Sequence, residues 1–191
     1  YQRPMHEEVM GHFRQVAAAT DLPLFLYNNP TNSGTEPLDA VDIGALAAEG
    51  VLAGVKSTFP TVHQVHEAIG ETGPDFRVFY GSFMAPLEGM AGGAAGWISG
   101  ILNVVLPDAL ELWAAVQAGD LARARAAWAR ILPIKYLYTR RPFGPVSDLE
   151  LYRSMLRLRG EHGGHSRGPL RPLGELQVAA LRESLTHSGL L

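Results

Sequence analysis

Four short apolar runs alternate with amphipathic helical stretches over the first half of the chain, and this alternation limits the fold more than any other feature. Residues 22–27, 51–56, 76–80 and 96–99 read as buried strands, bounded by Pro, Gly and Asn signals. Ahead of the first, Met5, Val9, Met10, Phe13, Val16 and Ala17 recur at helical spacing, with His6, Glu7, Glu8 and Arg14 on the other side. Further helices are expected over 38–48, from a Thr61 cap to 69, and over 85–91. One strand and one helix per roughly 25 residues indicates βα units and a parallel sheet covered on both faces. From Pro107 the strand signal ends, and 108–118, 121–138, 149–159 and 174–187 read as helices. A Gly-, His- and Pro-rich loop, 160–172, separates the last two. The expected division is an α/β part, 1–119, and a helical part, 120–191. Four βα units fit half of an eight-stranded barrel or a small doubly wound sheet, and periodicity leaves both open.

Composition removes several function classes. A net charge of −3 with no basic run interleaved with aromatics gives no nucleic-acid footprint. No cysteine is present, so disulfides, thiolate nucleophiles and cysteine metal sites are out. No apolar stretch reaches the roughly 18 residues of a membrane span. The first residue is Tyr1 rather than Met, which implies processing or a fragment.

The chain has two lysines, Lys56 and Lys135, against fourteen arginines. Lys56 closes the second apolar run, after Gly54-Val55. Arginine stays protonated at any working pH, whereas a partly buried lysine can lose its proton and attack a carbonyl. Taken alone, Lys56 reads more readily as a strand-end lysine snorkelling to solvent. Chemistry in parallel α/β folds gathers at the carboxyl ends of strands. Those positions here are Tyr27, Lys56, Gly81-Ser82 and Ile98-Ser99-Gly100. A tyrosine hydroxyl beside an amine nucleophile is a suitable proton carrier, and a core tyrosine is the plain alternative for Tyr27.

Tyr27-Asn28-Asn29-Pro30 and Gly54-Val55-Lys56, in this order and at this spacing, resemble the paired signatures of the dihydrodipicolinate synthase/N-acetylneuraminate lyase family. The glycine-rich segment 92–99 with Asn103 resembles that family's eighth strand, and 173–191 its last helix. Tyr1-Gln2-Arg3-Pro4 is similar to its aromatic-x-Arg-Pro segment. The resemblance implies the C-terminal half of a (β/α)8 barrel, strands 5–8, followed by a helical appendage. It implies a Schiff-base lyase or aldolase acting on pyruvate or a related 2-oxo acid. Lys56 would be the nucleophile, Tyr27 the proton relay, and Tyr1 a second relay member reaching a neighbouring subunit. Ile98 and Gly81 would shape the pocket. Asn32 stands where the synthases carry an arginine for a substrate carboxylate, which points away from the lysine-pathway reaction towards sugar-acid or hydroxyproline-derived substrates. No metal or organic cofactor is implied, nor a nucleic-acid or membrane partner. A cytoplasmic homotetramer, a dimer of dimers, is expected of the full-length parent. The family's hydroxyl pair on a turn after the second strand has no counterpart, so this chain by itself is expected to be inactive. The competing expectation is a non-enzymatic half-barrel remnant serving oligomerisation or interaction.

The remaining motifs read as structural. His63-x-x-His66 lies one helical turn apart without a third ligand at suitable spacing. His162 and His165 fall in the glycine-rich loop, and Arg123, Arg125 and Arg130 read as a solvated helix face. Gly89–96 lacks the order of a nucleotide loop, Trp97 reads as strand packing, and Lys135 as a snorkelling side chain.

Overall fold

The computed structural model describes residues 2–191, which form two compact units, one ending at Ser99 and one starting at Gly100. The first unit runs α1 (His6–Ala18), β1 (Phe25–Asn28), α2 (Ala40–Ala48), β2 (Gly54–Ser57), α3 (His63–Glu71), β3 (Arg77–Tyr80), α4 (Pro86–Ala91) and β4 (Gly96–Trp97). All three strand pairs are parallel, and the order is β1-β2-β3-β4. Sequential order decides between the two architectures. Right-handed crossovers that always step the same way place every helix on one face, as in a barrel wall, whereas a doubly wound sheet reverses direction. The unit is therefore an α/β fold with a parallel sheet, consistent with part of a (β/α)8 barrel.

Side-chain alternation agrees with single-sided cover. Leu26, Val55, Val78 and Tyr80 are buried with Met10, Ile43, Leu46, Val65 and Ala68 from the helices. Each such side chain contributes about 1.5–3 kcal/mol by leaving water. The opposite parity carries Phe25, Tyr27, Lys56, Phe79 and Gly96, and there Phe25 and Tyr27 are exposed. The expectation of a sheet covered on both faces is thus corrected. Apolar strands continue the barrel pattern, but only one of their faces meets helices within this unit.

Local chemistry explains most boundaries. Glu8 accepts from the Met5 N–H (2.7 Å) at the start of α1, and Asp39 and Asp42 cap α2 reciprocally, with the Asp42 N–H donating to Asp39 at 2.9 Å. Thr61 does not cap α3. Its hydroxyl donates to Gln64 Oε1 (3.0 Å), and the helix begins at His63. The first strand begins at Phe25, beyond Pro23, which has no N–H for a ladder.

The second unit is helical: α5 (Leu102–Gln117), α6 (Leu121–Arg140), α7 (Asp148–Leu158) and α8 (Glu175–His187). Its core holds Ile101, Leu112, Ile131, Ile134, Leu151, Met155, Leu181 and Leu185. Within this unit, which starts at Gly100, α5 pairs with α6. Arg123 binds Glu111 in a bidentate pair (2.5 and 2.8 Å), and Arg130 binds Asp108 at 2.7 Å. Of the three arginines read as a solvated face, these two are ion-paired across the helices. Sequence reading also began α5 late, at Asp108. A helical turn precedes Pro107, broken by non-helical Val105 (φ −116°, ψ 25°). The loop after α7 is held by Arg153 and Arg157, each donating to a glycine carbonyl, Gly163 and Gly164, at 2.7 Å. His162 and His165 stay exposed on it.

Candidate active site

Tyr27 and Lys56 are direct partners in the β1–β2 register, each one residue before its strand's end. Their parity turns both away from the helix-packed core. The Lys56 Nζ lies 4.0 Å from the centre of the Tyr27 ring, over its face. That is cation–π distance, and it places the amine beside the phenol. Among the described residues Lys56 has no carboxylate partner.

The Tyr27 side chain is 52% exposed. What burial it has pushes the phenol up. That effect is outweighed by the hydrogen bond from Asn29, the Lys56 charge, and the nearness of the Thr58 hydroxyl and the Lys56 amine, so the pKa lies below its ordinary value. Asn29 Nδ2 donates to the Tyr27 oxygen at 2.8 Å. Thr58 Oγ1 is buried and makes no hydrogen bond of normal geometry among the described residues.

The turn after β1 is built by the two asparagines. Buried Asn28 donates from Nδ2 to the Leu38 carbonyl (2.7 Å), tying the strand end to the segment before α2. Asn29 accepts the Thr31 N–H at 3.1 Å, an Asx turn, and its carbonyl receives the Ser33 N–H at 3.1 Å. Asn32 lies exposed in this turn, its N–H donating to the Asn29 carbonyl (3.3 Å).

Gly81 follows β3, buried, its N–H donating to the Ser57 carbonyl at 2.7 Å. A Cβ at Gly81 would collide with Thr58 Oγ1 and come within 3.1 Å of Lys56 Cε. A side chain there would displace the Thr58 hydroxyl and press on the lysine stem. Ile98 is exposed just beyond β4, its N–H donating to the Tyr80 carbonyl (2.9 Å). It has the same strand parity as Gly96, and so the face of Lys56. Trp97 points the other way and packs on the core, with Nε1 donating to the Ser82 carbonyl at 2.8 Å. It does not narrow the Lys56 side. Tyr1 lies outside the described residues.

Asn29 and Thr58 were not singled out by sequence reading, although Asn29 lies within the first motif and Thr58 just beyond the second. His63 and His66 gain no third metal-ligating side chain among the described residues. The Lys135 Nζ lies 5.9 and 5.8 Å from the Trp128 and Tyr136 rings.

A sequentially ordered parallel βα sheet with polar side chains at the strands' carboxyl ends is consistent with the wall of a (β/α)8 barrel, the class whose sites lie at that end. The chain belongs to the dihydrodipicolinate synthetase family, whose model matches residues 1–188. It is 36% identical to the 4-hydroxy-tetrahydrodipicolinate synthase of Symbiobacterium thermophilum over its whole length, which is 63% of that enzyme. It is 29% identical to a probable mitochondrial 4-hydroxy-2-oxoglutarate aldolase of Emericella nidulans, over 94% of this chain and 56% of that protein. The structure of YagE, a family member from Escherichia coli K12 in complex with pyruvate, superposes with a TM-score of 0.86 at 26% identity. That match covers 100% of this chain and 64% of YagE. The chain therefore spans less than two thirds of the relatives it matches. No helix among the described residues is long and apolar enough to cross a membrane.

Proposed function

We propose that the chain supplies the Schiff-base half of a lyase or aldolase site for 2-oxo acids, with β1–β4 as strands 5–8 of a (β/α)8 barrel and α5–α8 as its helical appendage. The observation that carries this is the Lys56–Tyr27 pair, 4.0 Å apart on matched positions of neighbouring strands. Neutral Lys56 attacks the ketone carbon. Loss of water from the carbinolamine gives the iminium, which accepts the electron pair of the breaking C–C or C–H bond as an enamine. Tyr27 takes a proton from the substrate hydroxyl and returns it to the adduct, and Tyr1 extends that relay across a subunit contact. Protonation and hydrolysis of the enamine free the lysine. The backbone at Gly81 and Ile98 borders the reacting carbons, and Asn32 meets a hydroxyl on the substrate's distal end. The chemistry is covalent through lysine and calls for no metal or organic cofactor.

Two similarities support this substrate class. YagE was solved with pyruvate, and the Emericella relative is named for a hydroxylated 2-oxo acid. The complete enzyme is a cytoplasmic homotetramer on this reading. The 191-residue chain alone turns over little substrate, because the face bearing Lys56 is open rather than a closed pocket. Borohydride added to the complete enzyme with pyruvate is expected to leave a reduced adduct on the peptide containing Lys56. Absence of that adduct with every 2-oxo acid tried refutes the mechanism.

A further inference from the structure

Asn29 is 4% exposed, and both ends of its side chain are fixed by chemistry. The Thr31 backbone N–H lies 3.1 Å from one amide atom. A backbone N–H only donates, so that atom is Oδ1. The other end is then Nδ2, 2.8 Å from the Tyr27 hydroxyl oxygen. An amide nitrogen only donates as well, so the phenol oxygen is the acceptor in this bond and its own proton leaves on another side. The other polar groups acting on the phenol are the Lys56 amine, over the ring face, and Thr58 Oγ1, which is buried without a hydrogen-bond partner among the described residues.

We propose that Asn29 is a positioning residue for Tyr27: its amide, oriented by the Thr31 N–H, donates to the phenol oxygen and turns the phenol's proton towards Lys56 and Thr58. The Tyr-Asn-x-Pro motif leaves this position open, so the role is not one the motif assigns. A donor to the oxygen stabilises phenolate over phenol, and the Asn29 bond is among the causes holding the Tyr27 pKa down. The catalytic meaning rests on the Schiff-base reading above, since a phenol that releases its proton beside an amine suits a relay. Other charged groups near Tyr27 are Glu8 and His12 from α1 and Glu36 from the segment before α2, which line the adjoining cleft. They are unchanged in the variants below.

The test follows the Tyr27 titration by NMR in the 191-residue chain with tyrosine labelled at Cζ, Tyr27→Phe assigning the resonance. Asn29→Asp keeps the acceptor for Thr31 but replaces the donor with a carboxylate, whereas Asn29→Leu removes both. Tyr27 is expected to titrate at higher pH in both variants, and higher in Asn29→Asp than in Asn29→Leu. An unmoved titration in a variant with native circular dichroism overturns the proposal. Should neither variant fold, the native chain decides. The Asn29 side-chain amide resonance then follows the Tyr27 ionisation, and indifference to that step overturns the bond. Adduct trapping at Lys56 is scored separately, so its failure counts against the Schiff-base reading and leaves the titration to judge Asn29.

Discussion

On the proposed mechanism, an amine that must be neutral to react and charged to leave needs a neighbour that moves protons without holding one permanently, the part proposed for Tyr27 beside Lys56. Lys56→Arg keeps a cation over the ring but cannot lose its proton. Borohydride trapping on the complete enzyme is expected to show no adduct at that position, with thermal stability nearly unchanged. Tyr27→Phe keeps the ring contact and removes the relay. Turnover should fall on the order of 10²–10⁴-fold, while slow trapping at Lys56 persists. Gly81→Ala drives a methyl into Thr58 Oγ1 and against Lys56 Cε. Overpacking of this kind costs about 1–3 kcal/mol, readable as a lowered denaturant midpoint, with trapping slowed in parallel. The meeting of Lys56 and Tyr27 was legible because a rare amine and a motif tyrosine sat at neighbouring strand ends. Asn29 and Thr58 were not, because nothing in linear spacing says which way an amide or a hydroxyl turns.

At the level of elements, strand and helix periodicities were legible wherever burial alone sets the pattern, and boundaries moved where one residue's backbone chemistry intervened, as at Pro23 and Pro107. The α7 segment shows what periodicity misses. Glu150 is 2% exposed inside a helical unit. Burial pushes its carboxyl up, but the hydrogen bonds of Ser166 and the Arg157 guanidinium (3.2 Å) outweigh this and hold it below the ordinary carboxylate value. A depressed folded pKa means stability that is present above the unfolded pKa and is lost as pH falls through the folded one. Glu150→Gln should therefore lower stability near neutral pH and flatten its loss on acidification, read from urea midpoints followed by circular dichroism across the acid range. Arg157→Leu removes a charge-assisted bond and should cost about 1.5–3 kcal/mol in urea titrations. Tyr138 and Tyr152 stack at 5.2 Å and behave oppositely. Burial pushes both phenols up, Tyr152 to about 12. A raised folded pKa gives stability that is intact below the unfolded value of 10.0 and is lost as pH climbs towards 12. Alkaline loss of helix over that window is expected, and Tyr152→Phe should delay it.

For the molecule as a whole, one sheet face is paired with helices and the other presents Phe25, Tyr27 and Ile98 to solvent. Exposed aromatic and aliphatic side chains on a sheet with open edges favour association. Sedimentation of the 191-residue chain should show self-association that rises with concentration, and Phe25→Lys with Ile98→Lys should reduce it. The sequence by itself determined the βα alternation, the helical second half, the two motif side chains and the family, because these depend on local periodicity and on residue identity at fixed spacing. Tertiary structure alone decided that α1–α4 lie on one side of the sheet, that α5 packs with the helices after it, and that Asn29 faces Tyr27 while Trp97 turns away. Those outcomes follow from crossover handedness and from which donors meet which acceptors once the strands are in register, and neither is written in one dimension.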